Sequence, residues 1–399
     1  MKKGWEYKKL GDIANDMYRG SGIKREQVTD TGIPCVRYGE IYTTYNIAFD
    51  KCASHTNEEI ISSPKYFETG DILFAITGES VEEIGKSIAY LGKEKCMCGG
   101  DIVVMKHSQY PKYLSYALSS PKAIKQKGLG KTKLKVVHTN IPSLKEISIP
   151  VPPLSEQKEI VEYLDSSFAK IDKLKENAAK NLEEAKALFQ SALKDALEPK
   201  EGWEEKTLKE LTNKIGSGAT PKGGRKVYID EGCSLIRSMN VLYNIFKYDE
   251  LAHINEEAAD QLKGVEVQKN DVLFNITGAS IARCCIVPED ILPARVNQHV
   301  SILRLKAGVL PIFLCYTLIS PTNQRKLLKI GEAGSTRQAL TKSDLENHMI
   351  GVPSLQEQQS IVSYLDSLNE KLNTLQQNYS HICDECDALK QAILRQVFE

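Results

Sequence analysis

The chain has 399 residues, enough for two or three domains that each bury a core of their own. Lysine plus arginine (52) balances aspartate plus glutamate (52), which excludes a uniformly basic nucleic-acid-binding surface. No apolar run approaches the ~18 residues of a membrane span, no signal-peptide pattern opens the chain, and ten cysteines over this length do not form a disulfide ladder, so a soluble, cytoplasmic protein with reduced thiols is expected.

In chain order, short apolar and β-branched runs predict strands at 72–76, 87–90 and 102–105. Residues 111–127 read as helix that starts at a proline and breaks at Ser120-Pro121. A long amphipathic helix opens near Pro153-Leu154-Ser155-Glu156-Gln157. The series then repeats, with strands at 272–276 and 300–305, helix over 311–329 broken at Ser320-Pro321, and a second long helix at Ser354-Leu355-Gln356-Glu357-Gln358. Ser354 and Glu357 have the spacing of a capping box.

The repetition extends to individual residues. Gly4-Trp5-Glu6 returns as Gly202-Trp203-Glu204. Gly70-Asp71-Ile72-Leu73-Phe74 with Ile76-Thr77-Gly78 returns as Asn270-Asp271-Val272-Leu273-Phe274 with Ile276-Thr277-Gly278. Collinear matches at offsets of 198 to 201 identify an internal duplication. The fold class is α+β: two pseudo-repeated mixed α/β domains, at 1–152 and 200–353, with long helices at 153–199 and 354–399. The globular stretches carry net charges of +5 (1–152) and +2 (199–353), and the helical ones −3 (154–198) and −4 (354–399). Local phosphate contacts therefore fall to the domains, and protein partners to the acidic helices.

Apolar residues in steps of three and four mark a stripe on each helix: Leu164, Phe168, Ile171, Leu174, Leu182 and Phe189 in the first, Leu365, Leu368, Leu372, Leu375, Cys386 and Leu389 in the second. Such stripes bury against another helix. Antiparallel packing of the two, as a coiled coil about a pseudo-twofold axis, accounts for both. Nearly forty residues at about 1.5 Å each span on the order of 55 Å.

Ile149-Pro150-Val151-Pro152-Pro153-Leu154-Ser155-Glu156-Gln157, its partner Val352-Pro353-Ser354-Leu355-Gln356-Glu357-Gln358, the Gly-Trp-Glu starts and Gly334-Ser335-Thr336-Arg337 together resemble the specificity subunit of type I restriction-modification enzymes. Ser354 stands where the first repeat has the second proline. The resemblance spans essentially the whole chain. It implies two target recognition domains reading the halves of a bipartite sequence in double-stranded DNA, and a helical spacer that docks two adenine methyltransferase (modification) subunits. Restriction subunits would join through those. S-adenosylmethionine, magnesium and ATP would then belong to the partners, with no cofactor in this chain.

Between the shared framework motifs the halves diverge, which predicts an asymmetric target. Arginine forks to guanine, and asparagine or glutamine pairs with adenine, whereas lysines more often hold phosphates. On residue type the candidates in the first half are Arg19, Lys24, Arg25, Arg37, Tyr42, Lys131 and Lys133. Those in the second are Lys222, Arg225, Lys226, Arg237, Asn240, Arg283 and Arg337. Arg37 and Arg237 share a repeat position, so each is either a phosphate contact or a structural arginine paired with a carboxylate.

Other patterns carry less. Gly128-Leu129-Gly130-Lys131-Thr132 lacks the glycine a phosphate loop needs at 125, where Lys125 stands. Cys383 and Cys386 have no second ligand pair for zinc, and Cys386 sits on the apolar stripe. No catalytic constellation or methyltransferase motif is present, so a non-catalytic subunit is expected. The alternatives are a coiled-coil protein scaffold, or a specificity subunit of a type II-like methyltransferase without a restriction partner.

Overall fold

A computed structural model of the chain describes residues 5–130, 136–332 and 338–399, and of Arg225 the backbone alone. The packing divides the chain into two compact units, Met1–Ala178 with Tyr379–Glu399 (unit 1) and Ala179–Asn378 (unit 2). The division runs through the middle of both long helices, so each unit holds a globular domain and one segment of each helix.

The strand at the centre of unit 1, Ile72–Ala75, is apolar throughout and wholly buried. A strand covered on both faces needs no polar alternation. Its side chains alternate between two cores: Ile72 and Phe74 join Leu10, Tyr113 and Leu164, whereas Leu73 and Ala75 join Val36, Phe67 and Tyr90. Unit 2 repeats the arrangement. Val272 and Phe274 face Leu193, Phe313 and Leu365, and Leu273 faces Ile236, Val267 and Val296.

Around that strand unit 1 orders a five-stranded sheet, Ala14–Arg19, Ile102–His107, Ile72–Ala75, Ser87–Tyr90 and Ala48–Phe49. A second sheet runs Val28–Thr29, Ser54–Thr56, Ile33–Val36, Cys96–Cys98 and Tyr66–Phe67. In unit 2 the matching sheets are Thr212–Ser217, Val300–Leu305, Val272–Asn275 and Cys284–Ile286, and Tyr228–Ile229, Ala252–Ile254, Cys233–Ile236, Ala294–Val296 and Glu266–Val267. Before each central strand the backbone turns through a left-handed residue, Gly70 (φ 96°) or Asn270 (φ 68°). The next residue's carboxylate closes the turn, Asp71 accepting the Glu68 N–H at 2.8 Å and Asp271 the Gln268 N–H at 2.7 Å.

The proline-started helices form as expected, Pro111–Leu118 and Pro121–Lys127 in unit 1, Pro311–Ile319 and Pro321–Glu332 in unit 2. The second proline of each pair has no N–H to continue the first helix but fits the first turn of the next. Antiparallel pairs then tie the two ends of each globular stretch together, Glu6–Lys9 with Ser148–Val151 and Glu204–Thr207 with Met349–Val352.

The long helices are Leu154–Leu197 and Leu355–Phe398, 44 residues each. Their shared entry motif fastens each helix to its domain. The Trp5 indole donates to Glu156 (2.8 Å) and Trp203 to Glu357 (3.0 Å). Gln157 and Gln358 are fully buried and accept the Tyr110 and Leu310 N–H groups, each at 2.9 Å. About two turns on, Asp165 and Asp366 accept the hydroxyls of Tyr116 (2.7 Å) and Tyr316 (2.6 Å). The Ser354 hydroxyl accepts the Glu357 N–H at 3.3 Å, so half of the expected capping box forms. Its other half is replaced by the bond from Trp203.

Within unit 1 the helix segments run antiparallel. Cys386 packs as a buried apolar residue beside Ile171, Lys390 pairs with Asp172 at 2.5 Å, and Lys175 pairs with Asp387 at 2.9 Å. Phe398 closes the core edge-on to Tyr113 at 5.5 Å. In unit 2, Phe189, Leu193 and Leu197 share a core with Ile361, Val362 and Leu365. The stripe read from the sequence needs correction at three leucines, because Leu174, Leu375 and Leu389 are exposed (58%, 42% and 48%). At 100° per residue Leu174 lies about 90° from the centre of the face defined by Leu164, Phe168 and Ile171.

Candidate nucleic-acid interface

The divergent loops gather at the ends of the sheets, and two glycines let them approach. Gly20 follows Arg19 at the end of Ala14–Arg19, and a side chain there would collide with the carbonyls of Cys98 and Gly99. Gly218, its counterpart, would collide with the carbonyl of Val296. The loop after Gly20 is thereby held against Gly99-Gly100-Asp101, and the loop after Gly218 against Asn297-Gln298-His299.

Arg19 is anchored in that contact, its guanidinium on Asp101 at 2.7 Å and on the Gly100 carbonyl. Lys24 and Arg25 lie exposed at the start of the turn Arg25–Gln27, which the Gln27 side chain closes on the Lys24 N–H at 2.8 Å. Arg37 ends the strand Ile33–Val36 and caps the helix Tyr38–Thr43. Its N–H donates to the Glu40 carboxylate at 2.7 Å, and its guanidinium lies 4.0 Å from the other Glu40 oxygen. Arg25, Arg37, Tyr38, Thr43 and Asp101 line one open cleft of about 490 Å³. The structure thus brings Arg25 and Arg37 together, with Arg19 held at the edge through Asp101.

Tyr42 is not in that cleft. It is half-buried, its hydroxyl lies 3.5 Å from the Glu83 carbonyl, and burial pushes its phenol above the usual range.

In unit 2 the turn Gly224–Val227 carries Arg225, flanked by exposed Lys222 and Lys226. Arg237 takes the place of Arg37, capping the turn Ser238–Asn240. Its guanidinium donates to the Glu250 carbonyl and lies 5.9 Å from the centre of the Tyr228 ring. Arg283 lies 5.6 Å from the centre of the half-exposed Tyr243 ring. Arg37, Arg237 and Arg283 each keep a buried Nε–H without a protein acceptor, three of the five such side-chain atoms among the described residues. A guanidinium in that condition has its fork only partly used.

Asn240 is a correction. It is fully buried, its amide oxygen accepts the Arg237 N–H at 3.0 Å, and its amide nitrogen donates to the Lys247 carbonyl at 2.9 Å. Those bonds hold the loop, and no edge of the amide reaches solvent. Lys131, Lys133 and Arg337 lie outside the described residues, as does Gly334-Ser335-Thr336-Arg337.

Reading by residue type missed a polar chain at the end of the unit 2 sheet. Thr220 donates to the exposed Gln298 at 2.6 Å, Gln298 meets His299 at 3.1 Å, and His299 meets Thr277 at 2.6 Å. The rule that nominated Asn240 also nominates Gln298, and its place immediately before the strand Val300–Leu305 was the available signal.

Among the described residues no group of three or more histidine, cysteine, aspartate or glutamate side chains could hold a metal ion. None of their helices is long and apolar enough to cross a membrane.

Comparison with known proteins agrees with the architecture. The family model for the type I restriction modification DNA specificity domain matches twice, over residues 2–184 and 200–381. The specificity subunit of the type I restriction enzyme EcoBI from Escherichia coli is 28% identical over 292 residues, which cover 66% of this chain and 60% of that relative. The EcoKI specificity subunit of E. coli K12 is 21% identical, covering 100% of this chain and 89% of the relative. Among solved structures, a chain from work on complex assembly and conformational transition of the type I R-M system superposes with a TM-score of 0.78 at 19% identity, over 99% of this chain and 97% of that one. The HsdS subunit of Thermoanaerobacter tengcongensis gives 0.56 at 19% identity, over 99% and 96%. The chain belongs to the type I restriction modification DNA specificity family, with two copies of the domain.

Proposed function

We propose that the chain reads an asymmetric bipartite sequence in double-stranded DNA, one half-site per globular domain, as the non-catalytic specificity subunit of a type I restriction-modification complex. The observation that carries this is a duplicated framework bearing unlike polar surfaces at matching places. One end of unit 1 offers Arg25, Arg37 and Tyr38, and one end of unit 2 offers Gln298, His299 and Thr220. Arg25, Lys24, Lys222 and Lys226 suit phosphates, and Gln298 suits the edge of an adenine.

The long helices form the spacer and dock two modification subunits. Exposed Tyr163, Leu174 and Leu188 return as exposed Tyr364, Leu375 and Leu389, each 201 positions later. At 100° per residue Tyr163 and Leu174, and likewise Tyr364 and Leu375, fall within about 20° of each other on their helix segments. Two like apolar faces suit two copies of one partner. Those partners bring S-adenosylmethionine and flip the adenine. Restriction subunits, with ATP and magnesium, join through them.

The test is a methylome. The chain is expressed with its modification subunit in a host free of adenine methylation, and modified adenines are mapped by long-read sequencing. One asymmetric bipartite motif is expected. An assembled complex that leaves the genome unmethylated refutes the reading.

A further inference from the structure

Unit 1 holds a lysine where unit 2 holds a leucine. Lys127 ends the helix Pro121–Lys127, and Leu327 stands at the same distance from its own Ser-Pro. Leu327 is fully buried among apolar neighbours. Lys127 is buried nearly as far, at 6% exposure, yet its amine makes a single described hydrogen bond, to the Ser87 hydroxyl at 3.3 Å. No described carboxylate pairs with it. An ammonium has three N–H donors, and burying them without acceptors is costly.

Lys127 lines a cavity of about 260 Å³ that lies wholly within unit 1. The apolar part of the wall comes from Ile47, Ile84 and Ile124 of the domain and from Phe168 and Leu394 of the long helices. Four other charged side chains line it. Lys86 is engaged by the carbonyls of Tyr42 (3.3 Å) and Tyr45 (3.1 Å), and Lys390 by Asp172 at 2.5 Å. Glu82 and Glu83 are exposed. Among the lining cations described, Lys127 is therefore the one with neither a carboxylate nor a carbonyl partner.

We propose that this cavity binds a small organic monoanion, a carboxylate on an apolar body, with its charged head on Lys127 and Ser87 and its body against Ile84, Phe168 and Leu394. The two exposed glutamates disfavour more highly charged anions such as a nucleotide or polyphosphate. The site is separate from DNA reading and is confined to the first repeat, because Leu327 removes the cation from the second.

Burial lowers the Lys127 amine to about 7, so near neutral pH the empty site is only partly protonated. The bound anion requires the ammonium, and binding therefore takes up a proton. Above pH 7 affinity falls by up to about tenfold per pH unit, until the raised amine of the bound form titrates in its turn.

Isothermal titration of the full chain with sodium benzoate, and with benzyl alcohol as its neutral counterpart, tests the site. Benzoate is expected to bind at pH 6.5, at least tenfold more weakly at pH 8.5, and more tightly than the alcohol at pH 6.5. Lys127→Leu, the residue unit 2 uses naturally, abolishes benzoate binding while circular dichroism shows the fold intact. Lys127→Met gives the same loss should the leucine variant not fold. Failure of benzoate to bind the unaltered chain overturns the proposal. Binding that ignores pH, or survives in a folded Lys127 variant, does the same.

Discussion

In unit 1 the carboxylate before the central strand, Asp71, meets the amine of Lys106 at 3.1 Å. In unit 2 its counterpart Asp271, fully buried, is gripped by both arms of the Arg304 guanidinium, each contact at 2.8 Å. The backbone turn is the same, and a point charge has been exchanged for a planar fork. A similar exchange occurs nearby. The side chain of Gln126 bridges both backbone groups of Ser148 (2.8 and 3.0 Å), and in unit 2 the fastening is between Asn323 and His348 at 2.9 Å. Duplication preserved the places that are fastened and left open which groups fasten them. The surfaces between those places had no such obligation, and there the halves part company.

The largest break in this comparison comes from Asp271→Ala. It strands a partly buried guanidinium and frees the Gln268 N–H, a loss of about 3–5 kcal/mol. Asp71→Ala leaves a lysine that is about one-third exposed and can turn to water, so about 2 kcal/mol is expected. Hydrogen exchange in the strands Val272–Asn275 and Ile72–Ala75 reads each unit separately, and equal losses would show that fork and point charge are interchangeable here.

Acid sharpens the same contrast. Burial pushes the His348 imidazole down to about 4, against an ordinary value of 6.5. Above pH 6.5 the ring is neutral folded or unfolded and contributes no pH dependence. As the pH falls from 6.5 towards 4, only the unfolded chain takes the proton, and unit 2 loses on the order of 2–3 kcal/mol. His348→Gln should flatten that slope in urea titrations at pH 7 and 4.5 followed within unit 2. His107, also lowered to about 4 by burial, gives unit 1 its own dependence, which His348→Gln leaves unchanged.

The smallest effects test equality rather than difference. Gln157→Leu and Gln358→Leu each leave one buried N–H unpaired and should cost about 2 kcal/mol, alike in the two units. Trp5→Phe and Trp203→Phe remove one indole donor each and should cost about 1 kcal/mol. Unequal thermal shifts within either pair would mean that the entry motif has drifted in one repeat.

Much of the framework was legible because it depends on local rules written twice. The prolines, the apolar strands and the helix entries all form where their patterns place them. The work of Glu156 and Gln157 was not legible, since their partners Trp5 and Tyr110 are distant in sequence and belong to tertiary packing. At the candidate interface residue type was a weaker guide. It nominated Arg25 and Arg37, which the fold brings to one cleft. It also nominated Asn240, whose polar groups the fold uses internally, and it passed over Gln298. An asparagine that reads a base and one that holds a loop look the same until burial is known. Periodicity likewise assigned each helix a face without saying where one compact unit ends, because a repeating stripe continues unbroken across that boundary.

Phe398 and the Tyr7 hydroxyl that donates to its carbonyl stand 391 positions apart, whereas unit 2 is built from the uninterrupted run 179–378. On the ribosome this reverses the order in which the two are made. Residues 5–178 emerge first, and then wait while about 200 more are added, roughly 10–40 s at ordinary elongation rates. During that interval the pocket beside Tyr113 has no Phe398, and the faces of Phe168 and Ile171 have no Cys386 or Leu394. Unit 2 meets no such delay. A chain cut short close to residue 378 therefore carries its later-made unit whole and its earliest-made unit unfinished, with the apolar seam of unit 1 bare to chaperones and proteases.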